Sequence, residues 1–155
     1  MIALRPAVLD DAYPLWLWAN DPESRAASGD RAIIPWAAHL LWYHDRLESP
    51  NALILIAEGP DRQPVGVIRF ETTDGWRAAR SSYGVAPESR GAGIGWELLT
   101  EGIAELRRRS PGVVIEASVR AANPASLRLF ERLRWRSEPS RGDHLLFRSS
   151  TREAP

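Results

Sequence analysis

The fold is decided by the stretch Tyr83-Gly84-Val85-Ala86-Pro87-Glu88-Ser89-Arg90-Gly91-Ala92-Gly93-Ile94-Gly95-Trp96. The stretch begins at the end of a strand pattern, continues through three alternating glycines that predict a turn, and ends at the start of a strong helix pattern. Glycine lets the backbone approach a ligand closely and adopt positive φ. The first amide groups of a helix lack internal partners and, with the helix dipole, favour phosphate oxygens. The stretch therefore predicts a phosphate-binding turn.

Two common phosphate-binding patterns do not fit this turn. The Walker pattern requires a lysine, and the chain has none, because all 20 of its Lys+Arg residues are arginine. The dinucleotide pattern Gly-x-Gly-x-x-Gly fails by one place, since its last glycine falls at Trp96. On the glycine spacing alone, a turn that binds no ligand stays open as the alternative.

Composition restricts the class of protein further. The 155 residues, 44% hydrophobic and 26% charged, are typical of one globular domain, which we expect over residues 1–150 with a frayed tail at 151–155. The net charge is zero, which argues against a nucleic-acid partner bound by bulk charge. The absence of cysteine excludes disulfides, thiolate metal sites and a cysteine nucleophile. Without a signal peptide or a long apolar run, we expect a cytoplasmic protein with no membrane contact.

Hydrophobic periodicity predicts an α/β (α+β) fold. Helical spacing appears over residues 12–19, 36–47, 96–109 and 124–133, whereas residues 22–35 look irregular. Strand patterns occur around residues 2–8, 52–57, 65–70, 79–85, 113–119, 135–138 and 144–148. The order predicts one mixed, mostly antiparallel sheet of six to seven strands, flanked by about four helices.

Two motifs carry a family resemblance. The run Arg90–Gly95 matches Arg-x-x-Gly-x-Gly and follows the Val-x-Pro element at residues 85–87. Downstream, residues 123–135 resemble a second motif, Asn-x-x-Ala/Ser followed by an aromatic residue and Gly-Phe, although Arg134-Trp135 stands in place of Gly-Phe. With both motifs at the usual separation, the chain resembles the GNAT superfamily of acyl-CoA-dependent N-acyltransferases over nearly its whole length.

The resemblance implies a site for acetyl-CoA as co-substrate, with no metal. Its pyrophosphate is expected on the backbone amides of Arg90, Gly91, Ala92, Gly93, Ile94 and Gly95. Its pantetheine arm is expected along residues 82–85, in a strand that splays from the strand at 113–119. A backbone amide near Val85 would then donate to the thioester carbonyl and stabilise the developing oxyanion. Asn123 and Phe130 are expected to line the far side, with a helix cap and core packing as their alternative roles.

The second motif supplies no acid, because Phe130 occupies the position where many family members have a tyrosine acid. Either another group donates the proton, or the thiolate leaves unassisted and is protonated by water. The leaving thiolate has a conjugate acid with a pKa of about 8.5, by analogy with cysteine. Candidate replacement donors are Tyr83 and Ser126, with cross-strand packing as the alternative for Tyr83. Candidate bases are Glu71, which has a solvated surface role as its alternative, and His39.

The N-terminal half of such a chain usually shapes the acceptor pocket. Here the pattern Asn-Asp-Pro-Glu-x-Arg, followed by Ile-x-x-x-x-His-x-x-Trp, resembles sugar-nucleotide N-acetyltransferases of the pseudaminic acid pathway type and ribosomal-protein N-terminal acetyltransferases. Tryptophan faces stack on sugars and bases, and arginine suits a diphosphate. The candidate acceptor ligands are Asn20, Arg25, Trp36, Trp42 and Arg69, with core packing and surface ion pairs as the alternatives.

These residues together predict a monomeric or homodimeric enzyme that transfers acetyl directly to a small-molecule primary amine. The preferred acceptor is a nucleotide-linked amino sugar. Acetylation of a protein N-terminus is the second hypothesis, and a catalytically silent acyl-CoA binding module is the third.

Overall fold

The computed structural model describes residues 1–150, and the tail predicted to fray lies outside them. A seven-stranded sheet has the order β1-β2-β3-β4-β5-β7-β6. All neighbours pair antiparallel except β4 and β5, which are parallel. This confirms the predicted fold class. The strands are β1 (Ala3–Pro6), β2 (Ala52–Glu58), β3 (Pro64–Glu71), β4 (Ala78–Val85), β5 (Val114–Arg120), β6 (Arg136–Pro139) and β7 (His144–Arg148).

Within residues 1–150, five α-helices flank the sheet, one more than the sequence predicts. They are α1 (Ala12–Ala19), α2 (Pro22–Ser28), α3 (Trp36–Glu48), α4 (Ile94–Arg109) and α5 (Pro124–Arg132). Helix α2 lies in the stretch that was expected to be irregular. The Asp21 carboxylate caps this helix by accepting from the Ser24 amide at 3.2 Å, and Pro22 fits the first helical position.

Strand β6 begins at Arg136, one residue later than the sequence predicts. Residue Trp135, expected to begin β6, lies before the strand and is 7% exposed, with its ring centroid 5.6 Å from that of Phe130. The preceding Arg134 takes the left-handed φ of 57° that the missing family glycine would adopt. The turn between α5 and β6 therefore forms with arginine in it.

Each face of the sheet has its own core. Helix α4 presents Leu98 and Leu99 to one face, where they are fully buried together with Phe130 and Phe147. On the other face α1 and α3 cover a smaller core that includes Tyr43. The sheet is thus the middle of three layers. Because both of its faces are buried, the register of its strands is strongly specified. Among residues 1–150, no helix is long and apolar enough to cross a membrane.

Candidate functional site

The sheet opens between its two parallel strands. Strands β4 and β5 pair only over Ala78–Arg80 and Val114–Glu116. Beyond Arg80, β4 continues to Val85 beside β3, whereas β5 continues to Arg120 beside β7. The two strands therefore diverge as the family resemblance implies, and the last part of β4 faces a gap instead of a neighbouring strand.

The glycine loop connects β4 to α4 at the mouth of this gap. Gly91 and Gly93 have φ of 81° and 80°, in the region that favours glycine. A Cβ atom built on either would meet no atom within 4 Å. The first intrahelical bonds of α4 are donated by Trp96 and Glu97 to the Gly93 carbonyl. The amides that precede them are the ones a helix leaves for an external acceptor.

The third glycine of the motif, Gly95, is required for close packing. A Cβ atom on Gly95 would lie 3.3 Å from Leu129 Cδ1 and 3.7 Å from Tyr83 Cε2. The absence of a side chain there lets the start of α4 pack closely against α5 and β4. Two of the three glycines thus shape the loop, and the third sets the distance between elements.

The side chain of Arg90 is directed at α2. Its guanidinium donates to Asp21 Oδ2 at 2.9 Å, to Glu23 Oε2 at 2.7 Å and to Ser24 Oγ at 3.0 Å. Burial alone would raise the pKa of Asp21, but the hydrogen bonds from Arg90 and the Ser24 amide hold it below the usual value. The loop and the short helix are thereby tied together, while the Arg90 backbone stays in the loop.

A cavity of about 370 Å³ fills the divergence of the strands, and we call it the strand-gap cavity. Its walls include Tyr83 of β4, Val119 of β5, and Asn123, Ser126 and Phe130 at α5. Two of these side chains also serve the structure. Asn123 Oδ1 caps α5 by accepting from the Ser126 amide at 3.2 Å, and Phe130 stacks on Phe147 at 5.4 Å between ring centroids.

A second cavity, of about 440 Å³, lies on the other face of the sheet beneath α1, α2 and α3. We call it the tryptophan cavity because Trp18 and Trp42 line it, together with Arg25, His39 and Arg69. The guanidinium carbon of Arg69 lies 4.7 Å from the centre of the Trp42 ring. Burial lowers the pKa of Arg69, although Glu71 opposes the shift. Among the described residues, no Asp or Glu lines this cavity.

The two cavities adjoin at three residues. Ser24, Ser82 and Tyr83 line both of them. The Tyr83 hydroxyl lies 2.9 Å from the hydroxyl of Ser126, so the two predicted proton donors form one hydrogen-bonded pair. Burial raises the pKa of Tyr83, and the hydrogen bond to Ser126 partly offsets this effect.

The hydrogen bond between His39 and Ala12 determines which ring nitrogen of His39 carries the proton. Its Nε2 lies 2.8 Å from the carbonyl oxygen of Ala12. A carbonyl can only accept, so Nε2 carries the proton and the lone pair of the neutral ring is on Nδ1. The residue is 6% exposed, and this burial lowers its pKa. His39 is therefore a neutral imidazole at the wall of the tryptophan cavity.

Three predicted residues lie elsewhere. Glu71, the last residue of β3, has its Oε1 atom 2.7 Å from Arg46 Nε and 3.6 Å from Arg69 Nε. Asn20 binds the chain before α3, donating to the Ile34 carbonyl at 3.1 Å and accepting from its amide at 2.7 Å. Trp36 packs against Trp16 at 5.4 Å between ring centroids. Within residues 1–150, none of the three lines the tryptophan cavity.

Sequence patterns do not place the wall residues Ser24 and Arg120 in the site, and they place Ser82 only in the strand beside the pantetheine arm. Ser82 also lines the tryptophan cavity, because it pairs with Arg69 across β3 and β4 and the two side chains share a face. Ser24 belongs to the unexpected helix α2, and Arg120 ends β5 at the strand-gap cavity. No local pattern distinguishes Arg120 from the other arginines of the chain.

Sequence comparison assigns the chain to a class of enzyme. The model of the acetyltransferase (GNAT) family matches residues 11–134. The chain therefore belongs to the GNAT family and is an N-acetyltransferase. No curated protein matches the sequence significantly.

Solved structures share the fold over almost the whole chain. A ribosomal-protein-alanine N-acetyltransferase from Brucella melitensis is 25% identical with a TM-score of 0.78, covering 96% of this chain and 99% of that one. A putative acetyltransferase from Salmonella typhimurium, solved with its cofactor acetyl-CoA, is 24% identical with a TM-score of 0.78, over 99% and 95% of the two chains. A spermidine N-acetyltransferase from Vibrio cholerae, in complex with CoA and spermine, is 15% identical with a TM-score of 0.80, over 95% and 92%.

Proposed function

We propose that this enzyme transfers acetyl from acetyl-CoA directly to the primary amine of a nucleotide-linked amino sugar held in the tryptophan cavity. The observation that carries the proposal is the meeting of two cavities at the end of β4, one suited to the donor and the other to the acceptor. Direct transfer requires both substrates to be in contact, and this junction is where they would meet.

The donor side is supported by the loop and the gap. The open side of Gly91 and Gly93 leaves room for a diphosphate against amides at the start of α4. The unpaired edge of β4 from Ser82 to Val85 offers backbone groups to an amide-containing arm such as pantetheine. The site residues thus fit acetyl-CoA, and the bound group supplies an activated acetyl thioester.

The acceptor side is supported by charge and by aromatic surface. Arg25 and Arg69 line the tryptophan cavity, and carboxylates do not line it within the described residues. Such a cavity repels a polycation such as spermidine and attracts a diphosphate. Trp18 and Trp42 supply flat apolar faces for a sugar or a nucleobase.

His39 is the favoured base of the two candidates. It lines the cavity as a neutral imidazole with its lone pair on Nδ1, so it can take a proton from the attacking amine. Glu71 is engaged by Arg46 and Arg69, so a free base there would have to give up ion pairs.

Acetylation of a protein N-terminus is the second candidate function. It is favoured by the 25% identity to the ribosomal-protein-alanine N-acetyltransferase over nearly the full length of both chains. A peptide amine would enter the same cavity, so only the acceptor distinguishes the two proposals.

A three-acceptor assay tests the proposal. The enzyme is incubated with acetyl-CoA and either a UDP-linked 4-amino sugar, a peptide beginning with alanine, or spermidine, and release of free thiol is followed. We expect the sugar nucleotide to have the highest kcat/KM. Faster turnover of the peptide would establish the second function instead. Preference for spermidine, or acetyl-CoA binding without thiol release for any amine, would refute the proposal.

Substitution of Arg69 sharpens this test. Arg69→Gln removes the positive charge but keeps a polar side chain. Because a hydrogen bond to a charged group contributes about 1.5–3 kcal/mol, the KM for the sugar nucleotide should rise roughly 10- to 100-fold. The KM for acetyl-CoA should not change. Arg136→Gln, on exposed β6, is the matched control and should leave both KM values unaltered.

A further inference from the structure

The acid for the leaving group is not supplied by α5 at the position of Phe130. A phenylalanine cannot donate a proton, and its ring is 2% exposed within the core. The phenol closest to the junction of the cavities belongs instead to Tyr83 on β4. Its ring centroid lies 6.3 Å from that of Phe130, and its hydroxyl reaches back to α5 at Ser126.

We propose that Tyr83 protonates the sulfur of the departing coenzyme A and that Ser126 passes the replacement proton to Tyr83. This inference rests on the proposed acetyl transfer. Tyr83 lines both cavities, so its side chain borders the place where the thioester and the amine must meet. Ser126 lines only the strand-gap cavity of the two, and its hydroxyl lies 2.9 Å from that of Tyr83.

The step conserves atoms and charge. The amine nitrogen forms a bond to the acetyl carbonyl carbon, and His39 accepts the proton that the nitrogen loses. The carbon–sulfur bond breaks, its electron pair stays on sulfur, and sulfur takes the phenol proton of Tyr83. The Tyr83 oxygen takes the hydroxyl proton of Ser126, and water reprotonates Ser126. The hydroxide left by that water takes the proton held by His39, which returns the enzyme to its starting state. The products are the amide and the free thiol of coenzyme A.

Several basic side chains line the two cavities that meet at this junction. In the part of the chain that the structure describes, the ionisable side chains that line the two cavities besides Tyr83 are Arg25 of α2, His39 and Tyr43 of α3, Arg69 of β3, Arg120 of β5 and His144 of β7. Within residues 1–150, no carboxylate joins them. Burial raises the pKa of Tyr83, so the phenol stays protonated at neutral pH and is ready to donate. Because Ser126 refills the phenol in the same event, no phenolate has to persist.

Steady-state kinetics are the first test. Tyr83→Phe should lower kcat by roughly 10²-fold, the usual contribution of a general acid, and leave the KM for acetyl-CoA unchanged. Ser126→Ala should lower kcat by roughly tenfold, because water can replace the relay in part. Tyr13→Phe is the matched control, since Tyr13 is 56% exposed on α1, and its kcat should equal that of the wild type.

A second measurement needs no acceptor and no turnover. The thiol of bound coenzyme A is titrated by the ultraviolet absorbance of its thiolate. If Tyr83 donates a hydrogen bond to sulfur, the bound thiol should ionise below its free pKa of about 8.5, and Tyr83→Phe should raise the value by about one unit. This readout tests the role of Tyr83 even if the acceptor assignment is wrong.

Relocating the phenol completes the design. Phe130→Tyr in the Tyr83→Phe background returns a hydroxyl to the same cavity wall from α5, and it should restore part of kcat. Wild-type kcat in Tyr83→Phe, together with an unchanged thiol titration, would overturn the proposal while leaving the acetyltransferase activity itself established.

Discussion

At the scale of single residues, positive φ separates the glycines that shape the loop from the one that packs. Gly91 and Gly93 adopt left-handed conformations over open space, whereas Gly95 lies against Leu129 and Tyr83. Arg134 adopts a left-handed φ without being glycine, which costs of the order of 1 kcal/mol. The chain therefore tolerates backbone strain at the end of α5 but uses glycine where a ligand is expected to approach.

If the glycine loop binds the diphosphate of acetyl-CoA, Gly93→Asp should weaken acetyl-CoA binding. The substitution places a carboxylate over the amides that would bind the diphosphate and also strains a φ of 80°. We expect the Kd for acetyl-CoA, measured by calorimetry, to rise more than about 100-fold, because repulsion adds to the lost contacts.

Gly112→Asp is the control for strain alone. Gly112 has a φ of 82°, also over open space, but it lies in the turn before β5. Acetyl-CoA affinity should survive in this variant. Equal affinity losses in the two variants would mean that Gly93 affects folding and not the ligand.

At the scale of elements, α2 is held at its N-terminal end by the glycine loop. None of its residues is buried, and its contacts to the loop come through the single side chain of Arg90. The helix nevertheless lines both cavities through Ser24. Its stability thus depends on a small number of polar contacts that are themselves sensitive to the loop.

Removal of the Arg90 contacts should loosen α2 selectively. Glu23 is 76% exposed and its ion pair contributes little, but the contacts to Asp21 and Ser24 are better shielded. Arg90→Gln should cost α2 about 1 kcal/mol and so speed amide exchange there about fivefold. Hydrogen exchange resolves this against the buried amides of β2 as an internal reference. Unchanged exchange in α2 would contradict the proposed tie, and Arg136→Gln serves as the control.

Features that depend on a single stretch of chain could be predicted from the sequence, whereas contacts between distant stretches could not. The turn and α4 follow from glycine spacing and an amphipathic run, both within one stretch of chain. Helix α2 has a local signal, Asp21 as N-cap followed by Pro22 at the first helical position, but it lies at the start of the stretch 22–35 that was expected to be irregular. The Tyr83–Ser126 contact joins residues 43 positions apart, so it depends on how α5 docks on β4 and no spacing rule could predict it.

At the scale of the whole molecule, one charged cluster joins the N-terminal strand to the rest. Arg5 binds Asp11 through two hydrogen bonds of 2.7 and 2.8 Å and Glu58 of β2 through one of 2.6 Å. Asp11 also accepts from the Val8 amide at 2.9 Å. Burial alone would raise the pKa of Asp11, but the hydrogen bond from Arg5 and that amide hold it below its usual value.

Asp11→Asn should destabilise the whole fold. The variant leaves Arg5 without a full partner, which costs about 1–3 kcal/mol, nearer the lower figure because Arg5 is 31% exposed. Urea unfolding at neutral pH measures the change. Asp45→Asn, 72% exposed in its pair with Arg46, is the control and should shift the free energy of unfolding by less than about 0.5 kcal/mol.

The contribution of Asp11 to the free energy of unfolding should depend on pH. Because the folded pKa of Asp11 lies below the unfolded value of 3.8, its contribution is fully present above pH 3.8 and is lost as pH falls through the folded pKa. The difference between the wild type and Asp11→Asn should shrink over the same range. A difference that stayed constant down to pH 2 would show that shape, and not charge, causes the loss.

The short pairing of β4 with β5 has a consequence for how long the protein survives. Within residues 1–150, β4 and β5 pair as strands only over Ala78–Arg80 and Val114–Glu116, so acetyl-CoA bound in the gap would add contacts between the two halves of the sheet. A ligand that binds only the folded state stabilises it in proportion to the logarithm of its concentration. Resistance to heat and to proteases would then rise and fall with the acetyl-CoA supply. The amount of enzyme present would thereby follow the availability of its own donor.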